Sequence, residues 1–276
     1  MEILKKIGIY LFVLGMIGVC FSMEYYTYQG QEVMWSVDNQ KETETISNAI
    51  MENKERKEEA EQKIAYLTFD DGPSSVTERI LDVLKVYNIR ATFFLIGSNI
   101  TEEREGIVTR MVEEGHAIGI HTYSHKAEKM YASAEAFLND FNLTEQRIYE
   151  VTGLHTKLFR FPWGSANDYL KGIDSEVIPE LESAGYVYVD WNVSAEDAVG
   201  TPTADSILQN VKKDYSRYHE PVILMHDSAT SKLTAEMLPD IIVMLKDSGY
   251  QFSTLDKMDN PYQYPRDEKG RLSRLN

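Results

Sequence analysis

The sequence has almost no cysteine and an excess of acidic over basic residues. Cys20 is the only cysteine among 276 residues, so the chain can form neither an internal disulfide nor a cysteine-rich metal site. Lys and Arg number 28 against 44 Asp and Glu, a net charge of −16. Such an acidic chain is not expected to bind nucleic acid, whose phosphates must be neutralised. Hydrophobic residues at 43% and charged residues at 26% exclude a chain that is disordered throughout.

A long uncharged run, residues 7–23, follows Lys5 and Lys6 directly. As a helix it would span roughly 25 Å, which is at the short end of what a bilayer core requires. A short basic N-terminus before such a run is typical of a targeting segment. We therefore expect residues 1–23 to be a signal-anchor or transmembrane segment, with membrane contact through residues 7–23. The positive-inside rule then predicts a single-pass protein of the cell membrane with the rest of the chain outside, or a secreted protein if residues 1–23 are cleaved.

The composition changes twice after the apolar run. Residues 24–62 are polar and charged, and the stretch 48–63 would make a helix with charge on every face, as solvated spacers do. We expect a linker there, helical or disordered. A folded domain is predicted over 63–258, and residues 259–276 form a polar C-terminal tail.

Within the predicted domain, short apolar runs alternate with longer amphipathic ones. The predicted strands are 64–69, 91–96, 117–121, 157–161, 186–191, 221–225 and 251–254. The predicted helices are 75–87, 102–114, 133–151, 174–184, 204–217 and 232–248. This alternation predicts parallel βα units of the α/β class, which favours a small barrel. A doubly wound open sheet is the alternative, because periodicity alone does not separate the two folds.

Polar residues concentrate at the predicted carboxyl ends of the strands, where β/α barrels place their reactive groups. Asp is common in loops, which would explain its presence at any single strand end. It would not explain so many His, Asp and Arg residues at the strand ends together. The residues concerned are Asp70, Asp71, His121, His125, Arg160, Asp190, Asp197, His226 and Asp227.

The spacing of His121 and His125 suits a divalent metal if the chain turns helically after the strand, since positions four apart then face the same way. Such a pair is more often structural than metal-bound, so a third ligand is needed. Asp70 and Asp71 are adjacent, and in an extended strand their side chains would point to different sides. One carboxylate could then bind a metal, in a two-histidine site that leaves a position for water, while the other serves as general base.

Four segments match the motifs of a known family in the right order. They are TFDDGP at 68–73, HTYSH at 121–125, RFPWG at 160–164 and LMH at 224–226. Over about residues 63–256 the chain resembles the NodB-type polysaccharide deacetylases of carbohydrate esterase family 4. The resemblance implies a distorted (β/α)7 barrel and a metal-dependent hydrolase that removes acetyl groups from polysaccharides.

The resemblance also implies a role for each motif residue. Asp70 corresponds to the general base, Arg160 to the residue that orients it and His226 to the general acid. The metal ligands would be Asp71, His121 and His125, holding Zn²⁺ in the first instance, with Co²⁺ or Ni²⁺ as alternatives. The substrate contacts would be Trp163, whose backbone N–H corresponds to the oxyanion donor, together with Pro162 and Leu224.

The fourth motif of the family departs from its usual form. Ser194 replaces its first Asp and Ala198 its Trp, while Asp197 is retained. The departure leaves open whether Asp197 or Asp227 tunes the acid histidine, and it leaves open which residue forms one wall of the substrate groove.

The expected activity is hydrolysis of the linear amide of N-acetylated amino sugars, in the first place peptidoglycan N-acetylglucosamine. Chitin oligosaccharides and O-acetylated xylan are alternatives within the same class. A cell-wall-binding module that keeps the fold without activity is a rival of a different class, and a metal amidohydrolase of small molecules is a third interpretation. Retention of the base, the metal ligands and the acid favours an enzyme; these residues are Asp70, Asp71, His121, His125 and His226.

Overall fold

A computed structural model of the protein describes residues 8–11, 21–24, 27–28, 31–32 and 62–265. The chain divides into two compact units, 1–61 and 62–276.

The first unit contains two short antiparallel pairs. Gly8–Leu11 pairs with Phe21–Glu24, and Thr27–Tyr28 pairs with Gln31–Glu32. These strands differ from the helix that the apolar run predicts. Residues 12–20 and most of the predicted linker lie outside the described residues, so the anchor and the linker stay predictions. Among the described residues, no helix has the length and apolar character needed to cross a membrane.

The second unit alternates strands and helices. Its strands are β1 (Ile64–Gly72), β2 (Thr92–Leu95), β3 (Ala117–Ile120), β4 (Leu158–Phe159), β5 (Val187–Tyr188), β6 (Val193–Ser194), β7 (Val222–His226) and β8 (Gln251–Phe252). Its α-helices are α1 (Ser75–Tyr87), α2 (Glu105–Glu113), α3 (Ala127–Met130), α4 (Ala134–Thr152), α5 (Asp174–Ser183), α6 (Ala204–Asp214) and α7 (Lys232–Asp247).

Seven parallel strands follow the order β6-β7-β1-β2-β3-β4-β5, and β8 pairs with β1 outside this path. The late strand β7 pairs with the first strand, β1, and β6 pairs with β7. The strand order is therefore that of a barrel that is open between β5 and β6. A doubly wound sheet would instead reverse its direction beside a central strand. The open half-barrel therefore agrees with the distorted (β/α)7 barrel and not with the alternative fold.

Two strand predictions need correction. The predicted strand 251–254 is β8, which lies off the main path, and the seventh strand of that path is β6 at Val193–Ser194. β6 is only two residues long and ends in a serine, so it carries no apolar alternation that a sequence pattern could detect. Its place in the sheet comes from parallel pairing with β7.

Helix α1 illustrates how the fold positions the first motif. The Ser74 hydroxyl accepts a hydrogen bond from the N–H of Val76, and Ser74 and Thr77 form a reciprocal capping box. The helix then buries Ile80, Leu81 and Leu84 at three- and four-residue spacing. The end of β1 and the start of α1 are thereby fixed on either side of the TFDDGP turn.

The packed part of the chain continues past the predicted domain end at residue 258. Tyr264 is buried, and its N–H donates to Asp190 Oδ2 at 2.9 Å. The N–H of Asp190 in turn donates to the carbonyl of Tyr262 at 2.8 Å. Residues 262–264 therefore lie against the chain that leaves β5, beside the opening of the barrel.

Candidate active site at the carboxyl ends of the strands

Asp70 and Asp71 lie at the end of β1, where the strand is irregular. The register with β2 shifts between Asp70 and Gly72, so Asp71 is the extra residue of a β-bulge with φ of 79°. The bulge brings both carboxylates to one side, at 3.8 Å (Asp70) and 3.6 Å (Asp71) from Nε2 of His121. The expectation that they point to different sides by strand alternation is therefore wrong.

The HTYSH segment is a loop and not the helical turn that its spacing suggested. Thr122 and His125 have φ of 63° and 49°, which a continuing helix would not allow. Asp140 on α4 holds the loop by accepting hydrogen bonds from the N–H groups of Tyr123 and Ser124 at 2.5 and 3.0 Å. His125 reaches the site by this route, with Nε2 at 3.4 Å from Oδ1 of Asp71.

The orientation of His121 is set by a backbone acceptor. Its Nδ1 lies 2.8 Å from the carbonyl oxygen of Arg160, which can only accept, so Nδ1 carries the proton and Nε2 is free to bind a metal. Burial is the main reason why the pKa of His121 falls to about 3, and the nearby His125 lowers it further. A neutral imidazole is the form that ligates metals.

The chemistry of Asp71, His121 and His125 fits a divalent metal. One ligand atom from each residue lies within 4.8 Å of the other two. Oδ1 of Asp71 is buried and has no hydrogen-bond partner among the described residues, although an unpaired buried carboxylate oxygen is costly. Two imidazoles and one carboxylate are the donor set of many catalytic metal sites.

Asp70 is held by the buried guanidinium of Arg160. Nη1 of Arg160 donates to Oδ1 of Asp70 at 2.9 Å and to the hydroxyl of Thr68 at 2.8 Å. Nε donates to the carbonyl of Val189 at 2.8 Å, which fixes the plane of the guanidinium. Burial raises the pKa of Asp70 above its ordinary value, and the charge and hydrogen bond of Arg160 oppose that rise.

His226, at the end of β7, is paired with Asp197. Nδ1 of His226 lies 2.8 Å from Oδ1 of Asp197, and the backbone N–H of His226 donates to Oδ2 at 2.8 Å. The hydroxyl of Thr234 on α7 donates to the same carboxylate at 2.6 Å. Burial lowers the pKa of His226, but the hydrogen bond and charge of Asp197 outweigh burial and raise it to about 9.

Asp227 does not contact the ring of His226. Its Oδ2 accepts a hydrogen bond from Thr77 at 2.6 Å, beneath the TFDDGP turn. Burial raises the pKa of Asp227 to about 8. Of the two candidates for tuning His226, the structure therefore places Asp197 in contact with it.

Trp163, Pro162 and Leu224 were predicted to contact the substrate. Trp163 has φ of 63°, it is 48% exposed, and its ring centroid lies 4.8 Å from that of His125. Within residues 62–265, the backbone N–H of Trp163 makes no hydrogen bond. Pro162 and Leu224 are both buried, and Leu224 lies on β7 two residues before His226.

Several residues that shape the site carry no motif signal. Asp140 holds the histidine loop, and Asn99 donates from Nδ2 to the carbonyl of Asp71 at 2.8 Å. Asp190 accepts from the N–H and the hydroxyl of Ser165 at 2.8 and 2.5 Å, which braces the RFPWG loop. Asp190 was noted at a strand end among the polar residues, but only the structure gives it this bracing position.

Comparison with known proteins agrees with the motifs. Residues 57–189 match the model of the polysaccharide deacetylase family. The chain is 34% identical over 201 residues to a peptidoglycan-N-acetylglucosamine deacetylase of Bacillus cereus, with 70% of this chain and 69% of that protein covered.

Two solved structures are also similar. The catalytic domain of peptidoglycan N-acetylglucosamine deacetylase from Eubacterium rectale superposes with a TM-score of 0.69 at 33% identity, covering 74% of this chain and 93% of that one. A family 4 acetyl xylan esterase from Clostridium thermocellum, in complex with a cobalt ion, superposes with a TM-score of 0.61 at 30% identity. The match covers 71% of this chain and 89% of that one.

An open parallel barrel with a carboxylate and histidine cluster at its carboxyl ends has the arrangement in which β/α-barrel enzymes place their reactive groups. The match to the family model and the identity with the Bacillus cereus protein identify the family. The chain belongs to the polysaccharide deacetylase family.

Proposed function

We propose that this protein removes N-acetyl groups from an amino-sugar polysaccharide, in the first place N-acetylglucosamine of peptidoglycan, with the help of a divalent metal. The observation that carries the proposal is the arrangement around Asp70. Its carboxylate is paired with Arg160 at 2.9 Å and lies 3.8 Å from Nε2 of His121, so a candidate base stands beside the candidate metal ligands.

Asp70 is the general base in this proposal. A divalent ion held by Asp71, His121 and His125 would supply a Lewis acid that makes water more acidic and polarises the acetyl carbonyl. Asp70 would accept the proton of the attacking water, and its raised pKa brings it closer to the range in which a base works best. Arg160 keeps the carboxylate in one orientation, because its guanidinium is itself held by Val189.

His226 is the general acid. With a pKa of about 9 it is protonated at neutral pH and can donate a proton to the departing amine of the sugar. The backbone N–H of Trp163, which makes no hydrogen bond within residues 62–265, would donate to the oxyanion that forms from the acetyl carbonyl. Leu224, two residues before His226 on β7, would provide the apolar contact for the acetyl methyl group.

The substrate is proposed from the relatives and from the site. The Bacillus cereus and Eubacterium rectale proteins are named for peptidoglycan N-acetylglucosamine, whereas the Clostridium thermocellum protein is an acetyl xylan esterase. The full-length chain should therefore be assayed for acetate release from purified peptidoglycan, chitin oligomers and acetylated xylan. We expect release from peptidoglycan, loss with a chelator, and recovery on addition of Zn²⁺, Co²⁺ or Ni²⁺.

The rival functions predict different results in the same assay. A cell-wall-binding module would retain glycan but release no acetate from any polymer. A small-molecule amidohydrolase would act on monomeric amides in preference to polymers. Either result would remove the deacetylase proposal, whereas release from xylan alone would keep the class and change the substrate.

The proposed location is the outer side of the cell membrane, with residues 7–23 as an anchor. Support comes from the basic and apolar N-terminal sequence and from the proposed cell-wall substrate. Protease added to intact cells should release a soluble domain by cutting within 24–62. Recovery of a secreted protein that starts near residue 23 would instead establish a cleaved signal peptide.

A further inference from the structure

We infer that Trp163 and Tyr169 form a shelf that binds a second sugar ring beside the reaction centre, with Tyr169 selecting for longer glycan chains. The inference rests on the proposed function, because the shelf continues from the same site. It assigns a role to Tyr169, which belongs to none of the sequence motifs.

The two rings are exposed although they are large. Trp163 is 48% exposed and Tyr169 is 56% exposed. Their ring centroids lie 5.3 Å apart. Adjacent exposed aromatic side chains are more typical of binding surfaces than of a surface that only faces water.

The shelf is continuous with the candidate metal centre. The ring of Trp163 lies 4.8 Å from the ring of His125, a proposed ligand, and Tyr169 is the next ring outward. A sugar whose acetamido group reaches the reaction centre would therefore have its neighbour in the chain over the outer ring. The apolar C–H face of a pyranose can pack on an aromatic face while its hydroxyls stay in water.

The segment that carries Tyr169 is held before any ligand binds. Nδ2 of Asn167 donates to the carbonyls of Pro162 and Gly164 at 3.1 and 2.6 Å. Oδ1 of Asn167 accepts from the N–H of Leu170 at 2.8 Å, directly after Tyr169. Little conformational freedom is then left to lose on binding, which favours affinity.

The ring of Tyr169 is also supported from inside. It lies nearly parallel to the ring of buried Tyr131, at an angle of 9° with centroids 6.1 Å apart. The hydroxyl of Tyr131 donates to the carbonyl of Pro162 at 3.1 Å, which ties the support to the RFPWG loop. The shelf and the reaction centre are thus parts of one packed unit.

The fourth motif supplies no aromatic ring of this kind. Ala198 stands where that motif of the family often has Trp, and Ala198 follows Asp197, whose carboxylate binds His226. A ring for stacking is therefore present at Trp163 and not at Ala198. A glycan chain would gain its additional contacts in that direction.

The test is a Tyr169→Ala substitution in the 276-residue chain, with monomeric N-acetylglucosamine and chitotetraose as substrates. Only the tetramer supplies a second sugar for the shelf, so we expect KM for chitotetraose to rise about tenfold while its kcat and the constants for the monomer stay unchanged, since a stacked ring contributes that much. Tyr169→Phe should retain the wild-type KM because it keeps the ring. Tyr149→Ala removes another exposed tyrosine, one stacked on His155, and should have no effect.

Calorimetric titration with the same two ligands separates this inference from the proposed function. If the wild-type protein releases no acetate but binds chitotetraose more tightly than N-acetylglucosamine, and Tyr169→Ala reduces that difference about tenfold, the shelf stands and the deacetylase proposal fails. If chitotetraose binds no better than N-acetylglucosamine, or if Tyr169→Ala weakens both equally, the shelf is not a second sugar site.

Discussion

Asp70 and Asp71 are adjacent in sequence, but their surroundings differ. Asp70 is buried and bonded to Arg160, whereas Oδ1 of Asp71 has no hydrogen-bond partner among the described residues and faces both histidines. The bulge at Asp71 creates this difference, because it adds one residue to β1 at the point where the strand ends. Two identical side chains can then perform a base function and a ligand function.

Substitution of each carboxylate by its amide should separate these two functions. Asp70→Asn removes the basic group and leaves the three proposed ligands, so acetate release should fall about 10²–10⁴-fold with metal still bound. Asp71→Asn should weaken metal binding, because a neutral amide is a poorer ligand than a carboxylate. Metal content and activity are measured with and without added metal, which should restore part of the activity of Asp71→Asn only. An equal response of both variants to metal would contradict the assignment.

The pairing of Asp197 with His226 leads to a prediction about pH. The raised pKa of about 9 means that His226 keeps its proton, and its acid function, until the pH rises through that value. Asp197→Asn removes the negative charge beside His226. The alkaline limb of the pH profile of kcat/KM should therefore move to lower pH by roughly 1–2 units, which is the effect of one charged hydrogen bond.

Asp227→Asn is the matched control for the pH prediction. Asp227 is adjacent to His226, yet its carboxylate accepts a hydrogen bond from Thr77 and makes none to the imidazole among the described residues. The alkaline limb should therefore move less in this variant than in Asp197→Asn. If both substitutions move the limb alike, Asp197 has no special relation to the acid.

At the scale of elements, the RFPWG loop depends on the end of β5. Asp190 accepts three hydrogen bonds, from the N–H and hydroxyl of Ser165 and from the N–H of Tyr264. Gly164 has φ of 79°, and a Cβ there would lie 2.8 Å from Trp191. The loop that presents Trp163 is therefore positioned by contacts that lie outside its own motif.

Asp190→Ala should destabilise the protein by about 2–5 kcal/mol, because it leaves three donors without their buried acceptor. Urea denaturation followed by circular dichroism measures the loss. Asp82→Ala is the control, since it removes only an exposed ion pair with Arg110 and should cost less than about 1 kcal/mol. Equal midpoints for the two variants would show that Asp190 does not brace the loop.

The elements differ in how far the sequence predicts them. Helix α1 has the predicted bounds 75–87, because its cap and its buried face are both local patterns. The family and the parallel α/β order are likewise confirmed. The loop shape that joins His121 to His125 could not be predicted, because it depends on Asp140, which is 15 residues beyond His125 on another element. The bulge at Asp71 arises from pairing with β2, which is also a long-range contact.

At the scale of the whole second unit, the opening between β5 and β6 lies beside the last described residues. Tyr264 packs with its ring 5.5 Å from that of Trp191, and Tyr262 accepts a hydrogen bond from the N–H of Asp190. These residues lie in the segment 259–276, whose polar composition predicts a tail and does not indicate packing. They complete the packing at a point where strand pairing is missing.

Truncation at two positions tests this role of the C-terminal residues. A chain that ends at residue 265 keeps every contact described here and should unfold like the full-length protein. A chain that ends at 258 loses buried Tyr264 and its bond to Asp190, so its free energy of unfolding should fall by at least about 2 kcal/mol. Its acetate release should fall as well, because Asp190 then holds Ser165 and the Trp163 loop less firmly. The measurements are urea denaturation and acetate release, with Tyr264→Ala as an intermediate case. If the chain ending at 258 matches the chain ending at 265 in both free energy of unfolding and acetate release, the C-terminal residues do not support the site.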